Sequence, residues 1–299
     1  MIISTLGALA ALLAAFFWAS ASLLFAQAGQ WLPPLHLNLF KGICGSALLG
    51  LTLLVLPGSI SAFTPSALLW LGLSGLIGIS LGDTAYLSAL NELGPRRTLL
   101  LSILAPPMTA VLSLILLHEA LTLWAWGGIA ITTAGVAWVI GERTSDDLGQ
   151  PPVRWHGVIW GLVAALAQSG AVILSRAVFL TTSVNALQSA MIRLAAGVVG
   201  LLVWMILTGQ ARINKSALKV QPRLWGYVFA ATFLGTYLAM WLQQVALTYA
   251  AAGIVQTLLA TSPIFVLPLA AWRGERLTPR AILGAVVSLL GVWLLFRPN

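Results

Sequence analysis

Charged residues are scarce in this sequence: only 7% of its 299 residues are Asp, Glu, Lys or Arg. A soluble domain usually carries about 25% charged residues. The hydrophobic share is 60%, which is more apolar surface than a soluble chain of this length can hide behind a polar exterior. The composition therefore excludes a cytosolic enzyme, a disordered protein and a nucleic-acid binder. It indicates an integral membrane protein.

Cysteine, histidine and phosphate-binding glycine motifs are rare or missing. Cys44 is the only cysteine, so an internal disulfide is excluded. The three histidines lie far apart without HxxxH spacing, and we expect no metal site and no cofactor. No Gly-x-x-x-x-Gly-Lys-Ser/Thr stretch occurs, which excludes a nucleotide-driven pump. The formal net charge of +8 is interpreted as an orientation signal rather than a nucleic-acid site, because basic residues in membrane chains mainly set topology.

Long apolar runs are abundant. A helix needs about 20 apolar residues to cross about 30 Å of hydrocarbon. Each run is expected to form a transmembrane helix in the lipid bilayer, and the first is expected to be retained because no basic residue precedes it. The runs are 5–28, 35–56, 67–91, 96–117, 123–141, 156–177, 185–207, 224–248, 252–272 and 279–296.

The second half of the chain repeats motifs of the first half. The turn motif Glu119–Thr122 recurs as Glu275–Thr278, and Pro107 recurs as Pro263. Both pairs have the same spacing of 156 residues (275 after 119, 263 after 107). Glycine and leucine are common here, so one match could be chance, but a series in one register indicates an internal repeat.

The repeat predicts an all-α integral membrane protein of ten transmembrane helices. Residues 1–141 form the first five-helix repeat, residues 142–155 a polar linker, and residues 156–299 the second repeat. Because five is odd, the second repeat enters the bilayer from the opposite side. Inverted repeats of this kind are typical of secondary transporters, whose substrate site lies near the midplane. We therefore expect a central cavity between the repeats.

A proline-bearing helix, a Glu-x-Leu-Thr turn and a glycine-rich helix containing Gly-Val occur twice. This pattern resembles the EamA-type drug/metabolite transporters, and within them the YddG-like amino-acid exporters. The resemblance covers nearly the whole chain. It implies a secondary active transporter in the cell (inner) membrane that exports small metabolites, most of all amino acids, and not an enzyme. The two copies run Pro107–Glu119–Thr122–Gly135-Val136 and Pro263–Glu275–Thr278–Gly291-Val292.

Three alternatives stay open at this point. A multidrug or other metabolite carrier of the same superfamily fits the same pattern. A membrane-embedded enzyme is disfavoured because no His/Asp/Glu cluster occurs in the long connections. A receptor or scaffold would not require the repeat. A small-molecule substrate is expected in each transporter case, and the sequence is compatible with a monomer.

Beyond the first two positions of each apolar run, four charged residues fall inside the runs, where each costs about 2.5–3.5 kcal/mol on insertion scales. Asp83 lies deep in the third run and is predicted to bind a substrate amine or carry a coupling proton; the alternative is a structural pair with Lys41. Lys41 and Arg193 are equivalent in the two halves, and either can meet a substrate carboxylate or extend to the interface. Arg176 lies at a helix end, where extension of its side chain to the interface explains it.

Polar and aromatic residues recur where the two halves should meet, which suits a neutral or zwitterionic solute. The alternative for each of them is an interhelical hydrogen bond. The predicted substrate-binding residues are Trp18, Asn38, Lys41, Asp83, Tyr86, Ser102, Gln168, Arg193, Tyr237, Trp241, Gln244, Gln256 and Ser262.

Prolines interrupt the fourth and ninth runs at Pro106, Pro107 and Pro263. Proline removes a backbone donor and clashes with the preceding turn. We predict hinges for alternating access at these positions, with static bends as the alternative.

Basic residues are concentrated on one side of the predicted bundle. The other side, which includes both termini, has only Arg176 and Arg297. The positive-inside rule places both termini outside the cytoplasm, whereas the resembling family more often has them inside. The basic residues in loops after odd-numbered helices are Arg96, Arg97, Arg143, Arg154, Arg212, Lys215, Lys219, Arg223, Arg273, Arg276 and Arg280.

Overall fold

The computed structural model describes residues 5–28, 32–56, 64–93, 98, 101–141, 154–210, 222–265 and 279–296. In these ranges the chain forms ten helical segments. They are α1 (Thr5–Ala28), α2 (Pro34–Val55), α3 (Pro65–Leu93), α4 (Ala105–Leu117), α5 (Leu123–Gly141), α6 (Trp155–Thr181), α7 (Ala186–Leu207), α8 (Pro222–Ala231, Thr232–Leu238 and Ala239–Tyr249 in succession), α9 (Ala252–Phe265) and α10 (Pro279–Leu295).

The helices follow the apolar runs of the sequence. Among the described residues, six helices are long and apolar enough to cross a membrane, while α4, α9 and α10 are shorter apolar helices. Large apolar side chains cover the outside, including Leu54 at 82% exposure and Leu207 at 80%. Lipid covers such a surface favourably, and water does not. The prediction of a ten-helix, multi-pass membrane protein is confirmed. The linker residues 142–153 and the motif at 275–278 lie outside the described residues.

The backbone reproduces the internal repeat. α2 and α7 begin and end 152 residues apart (186 after 34, 207 after 55), the spacing that separates Lys41 from Arg193. α3 and α8 each contain a π-helical stretch, Leu76–Asp83 and Thr232–Leu238, and these begin 156 residues apart (232 after 76). π-helical turns are rare and frequently occur at functional sites.

Helices of one repeat pack mainly against helices of the other repeat. α1 packs on α8 and α9, and the equivalent helix α6 packs on α3 and α4. α2 packs on α7 and α8, and α7 packs on α2 and α3. In addition, α4 packs on α9, and α5 packs on α10. Exchanging the two repeats reproduces these contacts, so the bundle has an approximate twofold relation.

α4 and α9 have breaks at equivalent positions. A turn at residues 103–104 precedes α4, and a turn at residues 260–261 interrupts α9. Pro106 and Pro107 lie in the first turn of α4, and Pro263 lies two residues beyond the turn in α9. Proline fits a first helical turn because the amide hydrogens there have no intrahelical acceptor. The breaks therefore lie just before the prolines rather than at them, and the hinge role stays a prediction.

Candidate functional site

A cavity of about 200 Å³ lies between helices of both repeats, where the fold prediction expects it. Three charged side chains line it: Lys41, Asp83 and Arg193. The volume is below the roughly 300–1,000 Å³ of pockets for drug-sized ligands, which favours a small solute. The polar and aromatic lining residues are Trp18, Ser22, Tyr86, Ser102, Gln168, Thr236, Gln243, Gln256 and Ser262.

The cavity wall follows the repeat. Five positions of α3 and five of α8 line it in one register, each α8 residue 157 positions after its counterpart (235 after 78, 243 after 86). In this register Asp83 corresponds to Met240, and Tyr86 corresponds to Gln243. The cavity is thus nearly twofold in shape, but its acid is on one side only. The paired positions are Gly78, Ile79, Gly82, Asp83 and Tyr86 with Gly235, Thr236, Ala239, Met240 and Gln243.

Lys41 and Asp83 form an ion pair at the cavity wall. Lys41 Nζ lies 2.5 Å from Asp83 Oδ2, and the two side chains are 6% and 21% exposed. Lys41 Nζ also lies 6.0 Å from the ring centroid of Trp18 and 5.8 Å from that of Phe25, within range of cation–π attraction. The expectation that Lys41 extends to the interface is wrong. Its side chain is buried, and Asp83 neutralises its charge there, so the ammonium group does not need to reach water.

Arg193 occupies the equivalent position in the second repeat, but its surroundings differ. It is 2% exposed and lines the cavity. Buried Nε and Nη1 have no hydrogen-bond partner, and Arg193 forms no ion pair with any described residue. Asp83 acts on the guanidinium only at longer range, as an electrostatic attraction. The interface alternative is wrong for Arg193 as well, because the side chain is buried.

Two glycines of α3 position Arg193. A Cβ at Gly75 would lie 2.0 Å from the carbonyl oxygen of Arg193, so α3 and α7 cross in backbone contact there. A Cβ at Gly78 would lie 3.4 Å from Arg193 Nη2. Such close approach of helices is a general use of small residues in membranes. It fixes the Arg193 backbone and leaves space for its side chain beside the cavity.

Nine of the predicted substrate-binding residues line this cavity and four do not. Asn38 donates to the Ile79 carbonyl oxygen (2.8 Å) and to Thr84 Oγ1 (3.0 Å), which joins α2 to α3. For Asn38, Tyr237 and Gln244, an interhelical hydrogen bond describes the structure. Trp241 contacts the ring of Tyr237 on its own helix. The nine that line the cavity are Trp18, Lys41, Asp83, Tyr86, Ser102, Gln168, Arg193, Gln256 and Ser262.

The other three belong to one stripe of α8. Tyr237 Oη is 2.8 Å from Thr52 Oγ1, and its ring contacts Trp241 with centroids 6.0 Å apart. Gln244 accepts a hydrogen bond of 2.9 Å from Ser189 Oγ. The cavity is instead lined by the residues one position earlier: Thr236, Met240 and Gln243. These residues follow Ile79, Asp83 and Tyr86 by 157 positions, one more than the 156 residues that separate the sequence motifs, so the motif spacing alone does not select them.

A second buried ion pair lies outside the cavity wall. Arg176 Nε donates to Glu119 Oε1 at 2.6 Å, and Arg176 Nη1 donates to the Leu247 carbonyl oxygen at 2.6 Å. Glu119 also accepts from Ser113 Oγ and from the Ala252 amide (3.1 Å). The expectation that Arg176 extends to the interface is wrong, because its side chain is only 5% exposed. The motif glutamate, which follows α4, thus contacts α6 and α9 of the second repeat, and Arg176 extends the network to α8.

Among the described residues, no group of three or more His, Cys, Asp or Glu side chains could hold a metal ion.

Comparisons with known proteins identify the family. A solved structure, described only as the crystal structure of a protein, is 19% identical and has a TM-score of 0.77 over 96% of this chain and 95% of that chain, which shows a shared fold. No curated protein matches. The model of the EamA-like transporter family matches residues 5–141 and 155–297, one copy in each repeat, and the chain therefore belongs to this family of membrane transporters.

Proposed function

We propose that this drug/metabolite transporter exports amino acids across the cell membrane by alternating access. The observation that carries the proposal is a small cavity, between the two repeats, that contains both signs of charge. An amino acid carries one ammonium and one carboxylate group at neutral pH. A cavity lined by an acid, a base and apolar walls complements such a zwitterion.

Acceptors for the ammonium group are available on both sides of the cavity. Lys41 contacts only Oδ2 of Asp83, so Oδ1 has no hydrogen-bond partner among the described residues. Asp83 Oδ1 belongs to a side chain that is 21% exposed, whereas Gln256 Oε1, on another lining residue, is buried without a partner. An unsatisfied buried acceptor is costly, and an ammonium donor would satisfy it. Apolar lining residues such as Ile79 and Leu259 are suited to an aliphatic or aromatic side chain.

The packing suggests which bodies move. α3 and α4 pack on α6, and their equivalents α8 and α9 pack on α1. We infer that these two groups, each with one helix from the other repeat, rock against each other around the cavity. Lining residues lie at the breaks of α4 (102, 103 and 105) and α9 (259, 260, 262 and 263). Discontinuous helices at a midplane site are typical of such transporters. Pro106, Pro107 and Pro263 are the proposed hinges.

Asp83 is also the proposed site of a coupling proton. It is the one acid among the described lining residues, and it has no acidic counterpart in the second repeat. Protonation of its carboxylate would remove the charge that holds Lys41. Proton binding would thereby alter the cavity from one side only.

Counterflow in proteoliposomes tests the function. The purified protein is loaded with single members of an amino-acid panel, with and without a pH gradient, and exchange of radiolabelled solute is measured. We expect at least one apolar amino acid to exchange, and Asp83→Asn to reduce exchange by about 10- to 100-fold, as for a lost charged hydrogen bond. Glu92→Gln, on the same helix but outside the cavity, is the matched control. Absence of exchange for the whole panel would contradict amino-acid transport, and unchanged pH dependence in Asp83→Asn would exclude the proton role.

The orientation in the membrane follows from the charge distribution under this proposal. The basic loops face the cytoplasm, and both termini lie outside. A reporter fused after Asn299 that is active only in the cytoplasm should be inactive. An active reporter would reverse the orientation, and with it the side from which the substrate leaves.

A further inference from the structure

We propose that the carboxylate of the transported solute binds to Arg193, and that the equivalent cation Lys41 takes no part in this contact. The inference rests on the proposed function, since it names the group by which an amino acid would be held. Four observations support it: the pairing of Lys41, the unpartnered burial of Arg193, the repeat register, and the sum of charges in the cavity.

Lys41 is already neutralised. Its ammonium group lies 2.5 Å from Asp83 Oδ2 and faces the rings of Trp18 and Phe25. A solute carboxylate binding there would have to displace Asp83 or share the ammonium group with it. Two carboxylates at one lysine repel each other, so this position disfavours an anion.

Arg193 is buried without the partners that a buried cation requires. Its side chain is among the largest fully buried ones, and Nε and Nη1 donate no hydrogen bond. A desolvated charge is retained in a membrane bundle only with a partner or a polar cavity. Since the residue lines the cavity, a bound solute can supply that partner.

The repeat register shows which counter-ion is missing. In the first repeat, the cation of α2 pairs with Asp83 of α3. In the second repeat, the cation of α7 corresponds to Lys41, and the α8 position that corresponds to Asp83 is Met240. α7 and α8 pack against each other, as the pairing requires. The place of a second carboxylate is therefore taken by a neutral side chain, and the ligand completes the pattern.

The sum of charges agrees with this assignment. With Lys41 and Asp83 cancelling, the lining residues carry one net positive charge at Arg193. The planar guanidinium group presents two parallel N–H donors that match the two oxygens of a carboxylate. We thus expect the carboxylate, rather than the amine, to be the group that a substrate must have.

Ligand analogues test the inference on the unmodified protein. The probes are leucine, leucinamide, which lacks the carboxylate, and isocaproate, which lacks the amine. Binding is measured from the rise in melting temperature of the detergent-purified protein over a concentration series. We expect leucinamide to bind about 10- to 100-fold more weakly than leucine, as for loss of a hydrogen bond to a charged group. We expect isocaproate, which loses the ammonium contact proposed at Asp83, to bind about tenfold more weakly than leucine and still more tightly than leucinamide. Equal binding of leucine and leucinamide would overturn the inference.

A substitution at the missing position gives a second test. Met240→Glu places a carboxylate where the second repeat lacks one, and it should occupy Arg193 and weaken isocaproate binding by about tenfold or more. Met240→Gln has nearly the same shape as Met240→Glu without the charge, so it measures the part of the loss that is steric, and the loss should be smaller than in Met240→Glu. A monodisperse elution profile establishes that each variant is folded. Equal loss in both variants would point to a steric effect and overturn the assignment; if Met240→Glu does not fold, the analogue series decides.

The tests separate this inference from the proposed function. If no amino acid exchanges in counterflow while isocaproate still binds and Met240→Glu abolishes binding, amino-acid transport fails and the carboxylate site stands. If amino acids exchange and leucinamide binds as well as leucine, transport stands and the carboxylate site fails. If none of the carboxylates stabilises the protein, the assignment of Arg193 is overturned.

Discussion

Arg176→Gln is expected to destabilise the protein strongly although the residue lies outside the cavity wall. The substitution removes the guanidinium that contacts Glu119 and the Leu247 carbonyl oxygen, each at 2.6 Å. It leaves a carboxylate that is 6% exposed with only Ser113 and the Ala252 amide as donors. A buried charge that loses its counter-ion cannot regain hydration, so the loss exceeds the value of the contact itself.

The expected magnitude follows from this burial. Removal of one partner of a buried ion pair costs about 3–5 kcal/mol, which is a factor of about 150 or more in the equilibrium constant for unfolding. Glu119→Gln should cost a similar amount because it leaves Arg176 uncompensated. The double variant should cost about 0.5–3 kcal/mol less than the sum of the single variants, since no uncompensated charge remains.

Unfolding by SDS titration in a mild detergent, followed by tryptophan fluorescence, measures these changes. Arg154→Gln, an exposed arginine that precedes α6, is the matched control and should change the free energy of unfolding by about 0.5 kcal/mol at most. Single variants no less stable than this control, or costs that simply add in the double variant, would refute the role of the pair in stabilising the bundle.

Two further substitutions test the packing. Gly75→Ala should lower the free energy of unfolding by about 1–3 kcal/mol, because its Cβ would lie 2.0 Å from the Arg193 carbonyl oxygen. Gly72→Ala is the control: a Cβ at Gly72 has no other atom within 4 Å, so this variant should be neutral or stabilising in the same SDS titration. Tyr237→Phe removes only the hydrogen bond to Thr52 and should cost about 0.6 kcal/mol, with leucine binding in the thermal-shift assay unchanged. Weaker leucine binding in Tyr237→Phe would place this ring at the substrate after all.

Much of the fold is predictable from the sequence because bilayer thickness fixes helix length. The ten apolar runs correspond to the ten helical segments, and the repeat spacing of Lys41 and Arg193 reappears in the bounds of α2 and α7. The π-helical stretches are not predictable in this way. A π-helical turn alters neither the composition nor the length of the apolar run, so the sequence predicts an ordinary α-helix over Leu76–Asp83.

The candidate site is predictable in its residue types but not in the rotation of each helix. On α8, the predicted stripe Tyr237, Trp241 and Gln244 has helical spacing, and so does the stripe one residue earlier that lines the cavity. One residue rotates the side chain by about 100°. A helix packed against protein on several sides has no clear polar face, so hydrophobicity does not distinguish the two stripes.

The ion pairs show a similar limit. The sequence places Lys41 near Asp83, because α2 and α3 are neighbours in the chain. Glu119 and Arg176 are 57 positions apart in different repeats, and no local pattern connects them. Treating Arg176 as an interfacial residue follows from its place near a helix end, but the partner that buries it comes from tertiary packing.

The interleaved packing has a consequence for synthesis. When the first five helices have left the ribosome, α1 and α2 still lack α8, α9 and α7, the helices against which they pack in the described structure. The nascent first half therefore lacks these packing partners until the second half is inserted. Assembly of the bundle can be completed only once the second half has been inserted, so a chain truncated at the linker is expected to be more accessible to membrane proteases than the full chain.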